Sequence, residues 1–159
     1  MGYKVTKGNG PTPTTANTFQ TFEDLEVYKA AREFRKAMYA VSRCLPDSEK
    51  YNLGRQIRRA AVSLTNNMAE GHGRFHYQTR YDFVHSRGSL EELVNDLNVC
   101  SDENYLSGEE IEKLKEQARA VLVLINGYLR HLRNRSTSVR EADEKDSEDL
   151  DELDGLVPL

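Results

Sequence analysis

Apolar side chains recur every three or four residues in four successive stretches of the chain, and no stretch alternates apolar and polar residues as a half-buried strand does. Such spacing places apolar side chains on one face of an α-helix. The four faces consist of Val27, Ala31, Phe34, Met38, Val41 and Leu45; of Leu53, Ile57, Ala60 or Ala61, Leu64 and Met68; of Phe83, Leu90, Leu93, Leu97 and Cys100; and of Ile111, Leu114, Ala118, Val121, Ile125, Tyr128 and Leu132. Helices with short connections bury such faces most simply in an antiparallel up-down-up-down arrangement. We therefore predict an all-α four-helix bundle.

Local signals mark the ends of these helices. Thr21 is followed three residues later by Asp24, and Ser107 by Glu110, which is the arrangement of a capping box at a helix start. Pro46 disfavours helix at the residue before it and so separates the first helix from the second. The bundle is therefore expected to occupy residues 21–135.

Composition and charge together divide the chain into three parts. Residues 1–20 include the turn-rich stretch GNGPTPTTANT and are expected to be disordered. Residues 136–159 carry nine acidic and two basic side chains, a net charge of -7, and like charges at this density favour a solvated, disordered tail. Residues 1–135 carry a net charge of +3, so the predicted bundle is slightly basic.

Cysteine content and hydropathy bear on the compartment. Cys44 and Cys100 are too few for a disulfide framework, and we interpret them as buried free thiols in a reducing cytoplasm. No apolar run is long enough to cross a bilayer, and no charged-then-apolar leader opens the sequence. We therefore expect a cytoplasmic protein without a membrane anchor.

A metal centre is not expected. Metal sites in helix bundles commonly use paired Glu-x-x-His motifs with further carboxylates, and this chain offers one imperfect copy, Asp82 with His85. His72 and His76 flank a predicted turn, where exposed histidines are common without a bound metal.

The pattern of nucleophiles and glycines gives no catalytic site. Ser63 and Thr65 fall within a helix, with no histidine spaced to act as a base beside them. The glycines of EGHGR follow a helix instead of preceding one, so they do not form a phosphate-binding loop. We expect a non-enzymatic protein without a cofactor.

Four stretches carry a resemblance to a known family: FEDLEVYKAA (22–31), LP..E (45–49), QIRRAAVSLTNNMAEGHGR (56–74) and GSLEEL (88–93). In this order and spacing the chain resembles, over about residues 22–133, the four-helix-bundle proteins named for 23S rRNA intervening sequences. It departs from the usual pattern at Tyr28, Met68 and Ser86, each a mild change at a packing position.

The resemblance implies a small antiparallel bundle, often a homopentamer, with no established enzymatic activity. More distantly, the chain is similar to accessory proteins of diversity-generating retroelements, which are pentamers that assist a reverse transcriptase and bind nucleic acid through a basic surface. The resemblance therefore implies an oligomer that contacts RNA or DNA, with a reverse transcriptase or a ribonucleoprotein as a possible partner.

Basic residues are expected to gather at one end of the bundle. In an up-down bundle the end of the second helix, the start of the third and the end of the fourth share one pole. This basic pole comprises Arg74, Arg80, Arg130, Arg133 and Arg135, and a second strip on the second helix comprises Arg55, Arg58 and Arg59. These arginines either contact phosphates or are solvated side chains that balance acidic residues elsewhere. We recognise no aromatic-interleaved motif, so base-specific readout is not expected.

Three residues of the shared motifs are expected to have structural roles: Glu70, Gly71 and Gly88. Glu70 lies in a last helical turn, where the dipole disfavours an anion, so it either pairs with an arginine such as Arg74 or serves as a ligand. Gly88, with Gly54 and Gly127, costs helix stability, which indicates close approach of a helix or a subunit.

The sequence leaves two functions open. Val84, Val94, Leu122 and Leu129 flank the core faces and are expected to contact neighbouring subunits, with a pentamer favoured. The protein is then either a nucleic-acid-associated accessory factor or a protein-only oligomeric scaffold. The acidic tail begins at the basic pole, where it either imitates a phosphate backbone and competes with nucleic acid or only aids solubility.

Overall fold

The computed structural model describes the backbone of residues 21–74 and 76–154 and the side chains of residues 21–74 and 77–134. Four helices make up most of these residues: α1 Glu26–Cys44, α2 Leu53–Gly71, α3 His76–Asp102 and α4 Gly108–Asp154. Short 3₁₀ turns at Phe22–Asp24 and Asp47–Glu49 precede α1 and α2. No strand occurs in the described part of the chain, so the all-α prediction is confirmed. Residues 1–20, predicted to be disordered, lie outside the described residues.

Side-chain contacts fix the direction of the helices. The Ser89 hydroxyl donates to Ser63 Oγ at 2.9 Å, and Arg59 Nη2 donates to Glu92 Oε1 at 2.9 Å. The earlier residue of α2, Arg59, thus contacts the later residue of α3, Glu92, so these two helices are antiparallel. α1 packs mainly against α2 and α4, and α3 against α2 and α4. Each helix thus has two neighbours and one diagonal partner, which is the arrangement of a four-helix bundle.

One continuous core fills the space between the helices. Every apolar position that the spacing predicts is buried or packs partly buried against the core, and both Ala60 and Ala61 are buried. At the α3–α4 seam the rings of Phe83 and Tyr128 lie 4.4 Å apart between centroids. Because full burial of a large apolar side chain stabilises a fold by about 1.5–3 kcal/mol, these faces are the main source of stability.

Both predicted capping boxes are confirmed. The backbone N–H of Ser107 donates to Glu110 Oε2 at 3.0 Å, and the N–H of Glu110 donates to Ser107 Oγ at 3.3 Å. At the other box the N–H of Thr21 donates to Asp24 Oδ2 at 2.9 Å. That second box closes the 3₁₀ turn, and α1 begins two residues after it.

The fourth helix is longer than the sequence suggests. The backbone of α4 continues to Asp154, through most of the segment 136–159 for which charge density predicts disorder. No glycine or proline occurs between Gly127 and Gly155, and Glu, Ala, Lys and Leu are favourable in helices. Charge density alone therefore underestimates the helical tendency of this segment.

The two cysteines lie in different environments. Cys100 is buried, as expected, and burial together with the Asp96 carboxylate raises the pKa of its thiol to about 11. Cys44 is exposed, so the prediction of a second buried thiol is wrong. It is the last residue of α1 and lines a groove between α1 and α4.

Helical glycines differ in how closely other atoms approach them. A Cβ at Gly71 would lie 3.0 Å from the Asp82 Cβ, and one at Gly54 would lie 3.2 Å from the Glu49 carbonyl oxygen. At Gly88 and Gly127 a Cβ would meet nothing within 4 Å. Close packing of α3 is therefore the reason for glycine at 71, and the turn before α2 restricts position 54. No close approach occurs within the protomer at 88 and 127, where contact with a neighbouring subunit stays a prediction.

This contrast predicts opposite effects of one substitution. Gly71→Ala is expected to lower the free energy of unfolding by about 1–3 kcal/mol, because the added methyl forces α2 and α3 apart. Gly88→Ala is expected to raise it by about 0.5–1 kcal/mol, because alanine fits freely and favours the helix. Urea denaturation measures both values, and equal effects of the two changes would contradict the packing described.

Candidate nucleic-acid interface

The turn between α2 and α3 is closed by polar contacts between the two helices. The Thr79 hydroxyl, which is buried, donates to the Gly71 carbonyl oxygen at 2.8 Å and so satisfies an acceptor at the end of α2. Gly73 adopts a φ of +79°, which a side chain would strain, and this reverses the chain direction. The sequence gives no direct signal for the role of Thr79.

Glu70 pairs with Arg74, as expected, but the pair is exposed. Arg74 Nη2 lies 3.9 Å from Glu70 Oε2, and both side chains are about half exposed or more. The same guanidinium lies 3.5 Å from Asp82 Oδ2, whose side chain is only 10% exposed. Because an exposed ion pair contributes about 1 kcal/mol or less, Glu70 is a minor contributor to stability.

Four arginines line a groove of about 320 Å³ between α3 and α4, which we call the arginine groove. Its lining consists of Arg80, Val84, Arg87, Asn126, Leu129, Arg130 and Arg133. Spacings of three and four residues place each helix's contribution on the face toward the other helix. No acidic side chain lines this groove.

The charge of three of the groove arginines, Arg80, Arg87 and Arg130, is only weakly offset. Arg87 Nε lies 3.7 Å from Glu91 Oε1, in an exposed pair of small electrostatic strength. Within the part of the chain whose side chains are described, Arg80 and Arg130 have no ion pair. Val84 and Leu129 line the groove beside them. The groove therefore presents a positive potential suited to an anion.

The structure divides the predicted basic pole. It brings Arg80, Arg130 and Arg133 together in the arginine groove, with Arg87, which the sequence analysis missed. Arg74 is directed to Asp82 instead. Arg135 lies outside the residues whose side chains are described.

The second predicted strip, on α2, is separate from the groove. Arg59 pairs with Glu92 at 2.9 Å, and Arg58 Nη2 donates to the Lys50 carbonyl oxygen at 3.1 Å. Arg55 is exposed, and no acidic side chain in the described part of the chain pairs with it. Since α2 is diagonal to α4, this strip does not extend the arginine groove.

Two tyrosines on α3 lie in the same segment as Arg80. Tyr77 is 72% exposed and Tyr81 is 65% exposed, and the Tyr81 ring meets His85 edge-on with 4.3 Å between centroids. In HYQTRYDFVHSR (76–87) the two exposed tyrosines therefore flank Arg80 in the sequence. The spacing of four between the tyrosines is the sequence signal that places them on one helix face.

The described residues contain neither a cluster suited to a metal ion nor a helix suited to spanning a membrane. No three His, Cys, Asp or Glu side chains there are placed to hold a metal ion, and Asp82 is instead engaged by Arg74. The side chain of His76 lies outside the described residues. Of the helices in that same part of the chain, none combines the length and apolar character needed to span a bilayer.

Apolar residues predicted to face a neighbouring subunit are only partly exposed. Val94, Leu122 and Leu129 pack against the core, while Val84 is 42% exposed. The most exposed aliphatic side chain in the described part is Val123, at 70%. Its position on the outer side of α4 was outside the predicted set.

Asp96 of α3 is a buried carboxyl group opposite the start of α2. Its side chain is 3% exposed, and Oδ2 has no hydrogen-bond partner among the described residues. Burial, aided by the charge of Glu92 and opposed by Arg59, raises the pKa of Asp96 to about 6. Since an unfolded aspartate has a pKa of about 4, the folded state binds the proton more tightly.

Stability is therefore expected to fall as pH rises from about 4 through about 6, where Asp96 ionises in the folded state. Asp96→Asn should raise the free energy of unfolding by about 1–3 kcal/mol at pH 8 and by much less at pH 4.5. Urea denaturation at the two pH values tests this, with Asp102→Asn, an exposed carboxylate on the same helix, as the control. A gain that does not depend on pH would refute the assignment.

The sequence matches the family described as 23S rRNA-intervening sequence protein over residues 23–127, about two-thirds of the chain. The match covers α1 to α3 and α4 as far as Gly127, including Arg80, Arg87 and Asn126 of the groove. Arg130 and Arg133 lie just beyond it. Among curated proteins, none matches the chain.

Proposed function

The chain belongs to the 23S rRNA-intervening sequence protein family, and we propose that it is a non-enzymatic cytoplasmic accessory protein that contacts the backbone of RNA or DNA through the arginine groove. The observation that carries this proposal is the convergence of four arginines, without an acidic side chain, on one groove. Guanidinium groups bind phosphate oxygens through two parallel hydrogen bonds, so such a groove suits a phosphate backbone.

The groove follows the helix axes and can engage more than one phosphate. Arg80 and Arg87 are one heptad apart on α3, which separates them by about 10 Å along the axis. Arg130 and Arg133 face them from α4. Contacts of this kind release counterions, so affinity should depend strongly on salt and little on base sequence.

The acidic segment of α4 starts next to the groove. Nineteen helical residues, 136–154, rise by about 28 Å, so a continuous helix carries this segment away from the groove. Competition of the segment with nucleic acid would require α4 to break near Arg133. The continuous helix favours a solubilising role for the segment.

Assembly into a homo-oligomer, with a pentamer favoured, belongs to the same proposal. Val123, at 70% exposure, Leu124, at 37%, and the open Gly127 form an apolar strip on the outer side of α4. A ring of subunits would repeat the arginine groove around an axis and multiply its field. A reverse transcriptase or a ribonucleoprotein is the kind of partner that such a particle would assist.

Removal of the groove charges is expected to weaken binding. The triple change Arg80→Ala, Arg130→Ala and Arg133→Ala should reduce affinity for an oligonucleotide at least about 10-fold at 50 mM salt, because each arginine neutralises a phosphate. It should also reduce the slope of log affinity against log salt by about 2–3. Fluorescence anisotropy with a labelled oligonucleotide measures both quantities.

The matched control removes three positive charges elsewhere: Arg32→Ala, Arg43→Ala and Lys113→Ala, all exposed and outside the groove. This control should change affinity less than about 3-fold, since its phosphate contacts are intact. Equal losses in the two triple variants would mean that net charge, and not the groove, determines binding.

The alternative function is a protein-only homo-oligomeric scaffold, which the exposed apolar strip on α4 favours. Light scattering on the same samples separates the two. A multimer that binds neither RNA nor DNA at 50 mM salt would support the scaffold and refute the accessory role.

A further inference from the structure

The arginine groove has an aromatic border. Tyr77 and Tyr81 stand four residues apart on α3, so they lie one above the other on one helix face. Arg80 and Val84 are three and seven residues from Tyr77, at about 60° and 20° around the helix from it. The tyrosine rings and the groove arginines therefore occupy adjoining faces of α3 that share the Val84 position.

We propose that this surface takes single-stranded nucleic acid, with unpaired bases stacked on Tyr77 and Tyr81 while the groove arginines hold the phosphates. This inference rests on the proposed function and narrows it to one class of ligand. It also adds contacts to the faces of the bases, which any base can make, to the phosphate contacts of the arginines.

Exposure distinguishes these tyrosines from those that support the fold. Tyr28 is 8% exposed within the core, and Tyr128 packs against Phe83. Tyr77 and Tyr81 are instead 72% and 65% exposed. Apolar area exposed at this scale beside a charged groove is typical of a binding surface.

Base pairing decides which nucleic acid can use both parts of the surface. In a duplex the bases are stacked on each other and offer only their edges, so a duplex can engage the arginines but not the rings. Unpaired bases expose their faces, and stacking on an aromatic side chain is then available to any base. The pairing of rings with arginines therefore favours a single strand.

The face of α3 that carries Tyr77 and Tyr81, which we call the tyrosine face, is unobstructed beyond these residues. Gly88, one heptad after Tyr81, is exposed, and a Cβ there would meet nothing within 4 Å. No side chain blocks the approach of a strand at this turn. Charge also argues against a second copy of the chain as the occupant. A two-fold contact through the tyrosine face would bring the groove arginines of the two copies together, and like charges repel.

The test removes the rings while keeping apolar area. Tyr77→Leu with Tyr81→Leu should weaken binding to a labelled 12-nucleotide poly(dT) or poly(U) strand by about 10–100-fold, because stacking is lost. Tyr77→Phe with Tyr81→Phe should stay within about 3-fold of the parent, since the rings remain. Tyr51→Leu, which alters a tyrosine 75% exposed near the start of α2, is the control and should have no effect.

The same variants are measured on a duplex of equal length. The leucine pair should change duplex affinity less than about 2-fold and leave the salt slope of duplex binding unchanged, because phosphate contacts remain. Separate DNA and RNA arms show whether one sugar is preferred. A melting temperature within a few degrees of the parent shows that the leucine pair is folded. The phenylalanine pair, which keeps both rings, shows whether any change at these two positions weakens binding.

The outcomes separate this inference from the function on which it rests. Single-strand binding that depends on the arginines but is unchanged by the leucine pair would overturn the stacking and leave the proposed function standing. Parent protein that binds a duplex as tightly as a single strand would also overturn it. A change of particle mass in the leucine pair would show that the tyrosine face is a subunit contact and would overturn the inference. Absence of any nucleic-acid binding by the parent protein would refute both proposals.

Discussion

The close contact between the end of α2 and the first turns of α3 determines the position of every residue that α3 contributes to the candidate site. The Gly71 backbone lies against Asp82, and the Thr79 hydroxyl donates to the Gly71 carbonyl oxygen at 2.8 Å. These contacts fix α3 along its axis and around it, while Phe83, fully buried, anchors the same turn in the core. Backbone and buried polar partners of this kind permit little sliding or rotation.

Once α3 is fixed, its remaining faces have defined roles. Asp82 and Ser89 lie toward α2, where the Ser89 hydroxyl donates to Ser63 Oγ. Arg80 and Arg87 lie toward α4 and meet the arginines of that helix in the groove. The tyrosines occupy the outer face. One helix therefore joins the core to both the charged and the aromatic parts of the surface.

The fold was predictable because periodic burial is a property of each helix by itself. The capping boxes, the inner faces and the four helices follow from spacing alone. The site was less predictable, because pairing across helices depends on side-chain direction. Sequence placed Arg74 with Arg80, yet Arg74 turns toward Asp82. Arg87 joins the groove because it lies seven residues from Arg80, a relation that becomes informative only when α4 is known to face it.

Amide hydrogen exchange with and without a single-stranded oligonucleotide tests most directly whether the α3–α4 seam is the functional surface. Bound strand is expected to slow exchange at residues 77–88 and 126–134, which hold the tyrosines and the arginine groove, and to leave residues 26–44 of α1 unchanged. Protection confined to α1 or to the arginine strip of α2, or spread evenly over all four helices, would contradict this account.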